Sequence, residues 1–398
     1  MLPKLLSAKA LHQRLQHPGD LLLLDVRNEE EFERARIETR RTPETVNIPY
    51  MMFIEDDTRD EAIGRLPRQR PIVVICAHGG SSEYVAGILR HHGFCVANLA
   101  GGMESWAALH VARPVAQNEW VEIYQLDRPA RGCLSYVIIS DGWAAIIDPS
   151  HYIHEYKALI AARGATLRLI IDTHAHADHI SGGPALARAT GAPYYLHPYD
   201  AIHPSDVAPA SVVYETLRDG HRFRLGSVIL RALHTPGHTL GHMALLATTL
   251  DGQPYLFSGD TLLLRSIGRP DLGGQAEVWV RLAYETIFGT LRTAAPAHAP
   301  LLPGHYADPA EADARGLFTA TFGELWQDNA DLAFTEPEAF VRHVLASLPP
   351  TPPEYANIKR VNIGLARADA QQALQLEIGR NICALTTAYH QPVVPVAG

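Results

Sequence analysis

With 398 residues, of which 47% are hydrophobic and 19% charged, the chain has apolar material for two globular cores and too little charge for extensive disorder. A formal charge of −9 would repel phosphate backbones and anionic lipid, which argues against nucleic acid and membranes as partners. Four widely spaced cysteines, Cys76, Cys95, Cys133 and Cys383, form neither a CxxC pair nor a disulfide framework, so a reducing, cytoplasmic setting is expected.

The opening "MLPKLLSAKALHQRL" has basic and polar residues every few positions and no small-residue cleavage site, and reads as an amphipathic helix. Short apolar runs ("DLLLLDV", "PIVVICA", "GFCVANL") then alternate with helix-like segments ("EEEFERAR", "SSEYVAGILRHHG"), as in a parallel α/β sheet. In "PIVVICAHGGSSEYVAGIL" a buried strand ends at Cys76, before a glycine-containing loop and a helix opening at Ser81 or Ser82. Backbone N–H groups and the positive helix end there would stabilise a thiolate or persulfide. Cys95, inside an apolar run, reads as core, and Cys133 and Cys383 receive no role.

The succession of "LLLLDVRNEEEF", "VNIPY", the Cys76 loop and "VANLAGGMESW" resembles a rhodanese domain over about residues 5–112. The resemblance implies that Cys76 is catalytic, carrying sulfane sulfur as a persulfide, and that Asp25 and Arg27 fix the loop. Many rhodaneses place an arginine in this loop, but "AHGGSS" has none, so thiosulfate is expected to be a poor donor. The expected division is a domain over 1–112, a linker over 113–117, a second domain over 118–365, and a C-terminal helix and tail over 366–398.

The second region offers strands ("LSYVIIS", "WAAIIDP", "LRLIIDT", "VILRALHT", "MALLATT", "YLFSGD"), several ending in Asp or His, where a loop can aim a functional group into a cleft. In "THAHADHISGG", His174 and His176 stand at i and i+2 of extended chain and point to one side, so both can meet one ion. Asp178 and His179 follow where the chain turns, and would serve a second metal or support the first. Later strand ends deliver His238 in "HTPGHTLGH", Asp260 in "LFSGDTLL" and His305 in "LLPGHY". Asp148 in "IIDPS" is either a turn-former or a partner that orients a ligand histidine. Beyond these, "SLPPTPPEYANIKR" should be extended, "LARADAQQALQLEIGR" reads as one more helix, and "YHQPVVPVAG" as a loosely ordered end.

The motif HxHxDH followed by His, Asp and His resembles the metallo-β-lactamase superfamily over about Asn118 to Gly364, which implies an αββα sandwich with metal at one edge. Within it, "SGDTLLLRSIGRPDLGG" and "PPEYANIKRVNIG" resemble the persulfide dioxygenase branch. That resemblance implies a mononuclear Fe(2+) on His174, His238 and Asp260, with His176, Asp178, His179, His305 and Asp148 supporting it or holding a second metal. Two histidines and one carboxylate on one face leave neighbouring positions open, and ferrous iron activates O2 where zinc has no accessible redox change. The implied reactants are O2 and a small-thiol persulfide, glutathione persulfide foremost, giving sulfite, with a sulfane sulfur donor for Cys76. Two alternatives stand: a zinc-dependent glutathione thioester hydrolase of the glyoxalase II kind, and a non-catalytic sulfur-carrier platform. Homo-oligomerisation is left open.

Overall fold

A computed structural model of the chain describes residues 2–384 apart from 18, 206 and 380, so the expected loose end lies outside the described residues. The N-terminal unit is a five-stranded, all-parallel sheet in the spatial order Leu5–Leu6, Val96–Leu99, Ile72–Ile75, Leu22–Asp25, Thr45–Asn47. Its central strands are apolar runs because helices cover both faces. Leu22, Leu24, Ile72 and Val74 pack to one side, and Leu23, Val73, Ile75 and Ala97 to the other.

The expected linker over 113–117 is instead part of a strand, Val111–Gln117, paired antiparallel with Glu122–Arg128. It is the outermost strand of its sheet, which is why Pro114 is tolerated. The sheet continues through Cys133–Ser140, Trp143–Ile147, Thr166–Ile171 and Tyr194–Leu196 to Glu215–Thr216. A second, six-stranded sheet runs Arg222–Leu225, Val228–His234, Met243–Thr249, Pro254–Gly259, Pro300–Pro303, Ala320–Thr321.

The two sheets face each other through Ile123, Tyr136 and Ile138 on one side and Leu230, Ala232 and Leu245 on the other. Helices Ile153–Ala162 and Gly183–Thr190 cover the outside of the first sheet through Tyr156, Ile160 and Leu186. Helices Ala276–Tyr284 and Pro337–Ala346 add Val280, Phe340 and Val344 to the core shared with the second. The result is the expected αββα sandwich, and the expected late helix is Ala370–Leu376.

Direct bonds join the two units: Arg128 Nε donates to Ala107 O at 2.8 Å, and His110 Nε2 meets Ser150 Oγ at 2.8 Å. Among the described residues no helix is long and apolar enough to cross a membrane.

Candidate metal centre and cysteine loop

Five strand ends converge on one buried cluster. Asp148 follows Trp143–Ile147, His174 to His179 follow Thr166–Ile171, His238 follows Val228–His234, Asp260 follows Pro254–Gly259, and His305 follows Pro300–Pro303. All eight expected site residues in this domain are no more than 3% exposed.

The structure sorts them into three groups whose potential ligand atoms lie within 4.8 Å of one another: His174, His238 and Asp260; Cys133, Asp178, His179 and His305; and Asp148, Asp172 and His176. In the first group, Asp260 Oδ2 lies 3.5 Å from His238 Nε2 and 4.0 Å from His174 Nε2, and all three atoms are buried without a hydrogen-bond partner. Leaving such atoms unpaired is costly, so a convergent set of them is what a divalent metal site looks like when written in protein atoms alone.

The free lone pairs are arranged by what the other ring nitrogens do. His174 Nδ1 donates to Thr173 Oγ1 at 3.0 Å, and that hydroxyl donates to Asp148. His238 Nδ1 donates to Arg269 O at 2.9 Å. Both assignments direct Nε2 toward Asp260. Arg269 belongs to the "GRPD" stretch, and Gly268 beside it has to be glycine: a Cβ there would stand 2.0 Å from Asp260 O and 2.8 Å from His238 Nδ1. The Arg269 guanidinium is itself clamped by Asp271 at 2.7 Å and by Pro349 O.

Charge follows the same division. Burial, reinforced by His176, His238 and His242, holds His174 well below its ordinary value, and burial likewise lowers His238, so both imidazoles are neutral. Burial would raise Asp260, but His305 and His238 outweigh it and keep the carboxyl ionised. His305 is gripped from both sides, Nδ1 at 2.6 Å from Asp260 Oδ1 and Nε2 at 2.9 Å from Asp178 Oδ2, and these carboxylates overcome burial to raise it well above its ordinary value. Asp178 also contacts His179 Nδ1 at 3.2 Å and Cys133 Sγ at 3.2 Å, so the second group is internally bonded. Burial pushes the Cys133 thiol up to about 12.

His176 is turned outward from the triad: its Nε2 lies 3.2 Å from Asp148 Oδ1, while Nδ1 is unpartnered. Asp148 thus acts as an orienting partner for both Thr173 and His176, and holds a positive φ of 52° at its strand end to do so.

Several supporting residues had no signal in the sequence. Asp200 accepts from Ala175 N, Thr239 Oγ1 and Gly241 N, tying the first histidine loop to the His238 loop. His242 Nε2 accepts the Asp260 amide at 3.0 Å. Asn362, within "VNIG", donates to His176 O and His179 O and accepts from Ser181 N, all at 2.8 Å. Glu377 Oε1 accepts Ile180 N at 2.6 Å, and Arg131 Nε donates to Asp178 O at 3.0 Å.

In the N-terminal unit, Cys76 directly follows strand Ile72–Ile75 and precedes helix Gly80–His91, which opens one residue earlier than expected. Its Sγ receives Gly79 N–H and Ser82 Oγ–H, each at 3.0 Å, one amide and one hydroxyl in place of several amides. Asp25 and Arg27 form a buried pair at 2.7 Å, and Arg27 also donates to Ala35 O. His78 points to Glu104 at 3.0 Å. Cys95 is exposed, not core, because it stands just before strand Val96–Leu99.

The sequence matches the metallo-beta-lactamase superfamily over residues 128–332, just over half of the chain, and the rhodanese-like domain over residues 7–109. The chain therefore belongs to the metallo-β-lactamase superfamily. Its particular form is a superfamily member preceded by a rhodanese-like domain. Among relatives, the hydroxyacylglutathione hydrolase of Methylococcus capsulatus is 34% identical over 168 residues, which are 42% of this chain and 56% of that protein. Among solved structures, a metallo-beta-lactamase from Staphylococcus aureus superposes with a TM-score of 0.54 at 26% identity, covering 61% of this chain and 72% of that one. ETHE1 from Myxococcus xanthus gives a TM-score of 0.49 at 25% identity, covering 64% and 99%.

Proposed function

We propose that the protein is a persulfide dioxygenase with a built-in sulfurtransferase: Cys76 carries sulfane sulfur, and the metal domain oxidises a small-thiol persulfide, glutathione persulfide foremost, with O2 to sulfite. The observation that carries the metal half is the set of three unpartnered atoms, His174 Nε2, His238 Nε2 and Asp260 Oδ2, while Asp178 and His305 are already bonded to each other. This favours one metal, held by two histidines and a carboxylate. A ferrous ion bound there supplies the activation of O2 that no side chain can. The chain's own residues do the rest. Thr173 and the Arg269 carbonyl hold the two imidazoles in the ligating tautomer. His305 keeps a proton between Asp260 and Asp178. The "GRPD" and "VNIG" stretches, which resemble the persulfide dioxygenase branch, position His238 and the first histidine loop. The four free cysteines fit the reducing, cytoplasmic setting that forms part of this proposal.

A second reading has its own support. The relative named hydroxyacylglutathione hydrolase, the unpartnered His176 Nδ1, and the neighbouring Cys133–Asp178–His179–His305 group would suit a two-metal thioester hydrolase. Metal analysis of anaerobically purified protein, with oxygen uptake on glutathione persulfide and hydrolysis of a glutathione thioester on the same sample, separates the two. Iron near one equivalent with oxygen uptake supports the dioxygenase; two zinc equivalents with thioester hydrolysis and no oxygen uptake refute it.

A further inference from the structure

The His238 ring is turned by Arg269 O at its Nδ1, but an imidazole moves with its backbone, and loop 235–238 has to be held as well. Pro236 in this loop has no N–H, so its carbonyl is the one backbone polar group by which it can be held. That carbonyl accepts Thr286 Oγ1–H at 2.7 Å. On either side of it, Thr235 O accepts Thr261 Oγ1–H at 3.2 Å, and Gly237 N donates to Thr239 O at 3.0 Å. Gly237 also lies directly on the helix that leads to Thr286: its φ is 148°, and a Cβ there would stand 2.6 Å from Ala283 Cα. Ala283 and Thr286, three residues apart, therefore form one face against the loop.

The helix is not regular where it makes this contact. It is an α-helix over Ala276–Tyr284 and opens into a wide turn over Glu285–Leu291, at whose end Arg292 N donates to Ile287 O, five positions back. Wide turns of this kind are rare and occur mostly at functional sites. Successive residues of an α-helix point about 100° apart, yet Thr286 and Ile287 are only 3% and 0% exposed. Ile287 joins Val280 and Leu291 in the core of the sandwich, while Thr286 faces the loop. A threonine hydroxyl inside a helix commonly bonds back to a carbonyl one turn earlier, whereas that of Thr286 leaves the helix for Pro236 O.

We propose that Thr286 is a positioning residue for the metal centre: by holding Pro236 O it fixes the backbone from which His238 presents Nε2 to Asp260. The inference rests on the triad reading of the site above and is independent of which metal is bound and of the reaction. His238 Nε2 lies 3.5 Å from Asp260 Oδ2, and a metal shared by the two accepts ligand distances only within about 0.2 Å of its preferred values. A small drift of the loop is enough to spoil that fit. Thr286→Val keeps the shape and packing of the side chain and removes the hydroxyl alone. Pro236 O then loses its donor, and the loop shifts to find another.

The test uses the full chain, stripped of metal with a chelator and titrated with Co2+, whose visible d–d bands report ligand geometry without any turnover. Thr286→Val should weaken Co2+ binding about three- to tenfold, the equivalent of one net hydrogen bond, and shift the bands. Thr286→Ser, which keeps the hydroxyl, should recover both the affinity and the spectrum. Ile287→Val, one position along and in the core, should lower the thermal midpoint of the metal domain and leave Co2+ affinity and bands unchanged. Wild-type affinity and bands in Thr286→Val, or an equal loss in Ile287→Val, would overturn the proposal. Wild-type Co2+ affinity in His238→Ala would instead bring down the triad reading beneath it, and the proposal with it.

Discussion

Glu377 is the residue through which the C-terminal segment can be tested against the metal domain. Its Oε2 lies 2.6 Å from Arg128 Nη1, and its Oε1 accepts Ile180 N at 2.6 Å and faces His151 Nδ1 at 3.2 Å. The pair is enclosed, with side chains 2% and 0% exposed. Burial alone would raise this carboxyl, but Arg128 and then His151 outweigh it and hold it far below its ordinary value. Glu377→Ala leaves a guanidinium in the interior without its counter-charge, which costs on the order of 3–5 kcal/mol. It also strands the Ile180 amide beside the histidine loop, for a further ~1–3 kcal/mol where no water reaches it. The two losses share one side chain and do not add fully, so a total of about 4–6 kcal/mol is expected.

The chain has two units with separate cores, so a single two-state fit is unsuitable and the transition of the metal domain has to be followed by itself. Urea unfolding read by tryptophan fluorescence and by metal retention does this. At a slope of about 3 kcal/mol/M the midpoint of the metal-domain transition should fall by more than about 1 M, with the N-terminal transition nearly unmoved. Glu377→Gln keeps an acceptor for Ile180 and should lose less. A shift of less than about 0.3 M for Glu377→Ala would mean that Arg128 finds another partner and that the segment is not pinned as described.

Three further outcomes are expected. Asp260→Ala should abolish metal retention and oxygen uptake while leaving Cys76-dependent sulfur transfer intact; bound iron with full oxygen consumption would refute the triad. Cys76→Ser should remove all cyanide-reactive sulfane sulfur and spare oxidation of preformed glutathione persulfide; peptide mapping that finds the persulfide on Cys95 or Cys133 would contradict it. His110, at the domain junction, is held at about 3 by burial and then by Arg128. Its neutral form is the folded one, so its contribution is complete above the unfolded value of about 6.5 and is lost as pH falls from there toward 3, on the order of 5 kcal/mol. His110→Asn should flatten that acid limb in a stability-versus-pH series, and an unaltered slope would refute the assignment.

The parts of this protein legible in the sequence are those where one local stretch decides the outcome. Strands such as Leu22–Asp25 and Ile72–Ile75 are buried on both faces and so are written as unbroken apolar runs. The HxHxDH loop and its three later stations are short motifs at strand ends, and the structure gathers all of them. What stayed hidden depends on contacts between distant positions. Asn362 reaches the histidine loop across 181 residues, and Glu377 across 197; the stretch around Asn362 carries a family resemblance, but neither residue's neighbours say which loop it will meet. Strand Val111–Gln117 reads in part as linker because its pairing partner, not its own composition, makes it a strand.

The same distinction explains how the candidate metal site is built. A histidine loop by itself offers imidazoles with either nitrogen free, and sequence cannot say which. Thr173 is adjacent to His174 and could in principle be guessed as its partner, but the acceptor for His238 is the carbonyl of Arg269, brought there by Gly268, which tolerates no side chain against Asp260 O. Arg269 in turn is clamped by Asp271 and by Pro349 O, so the "GRPD" stretch and the proline-rich segment together fix one backbone oxygen. That oxygen sets the His238 tautomer and hence which nitrogen faces Asp260. The "GRPD" stretch, which contributes no member of the triad, therefore decides how His238 presents itself, as Thr173 does for His174.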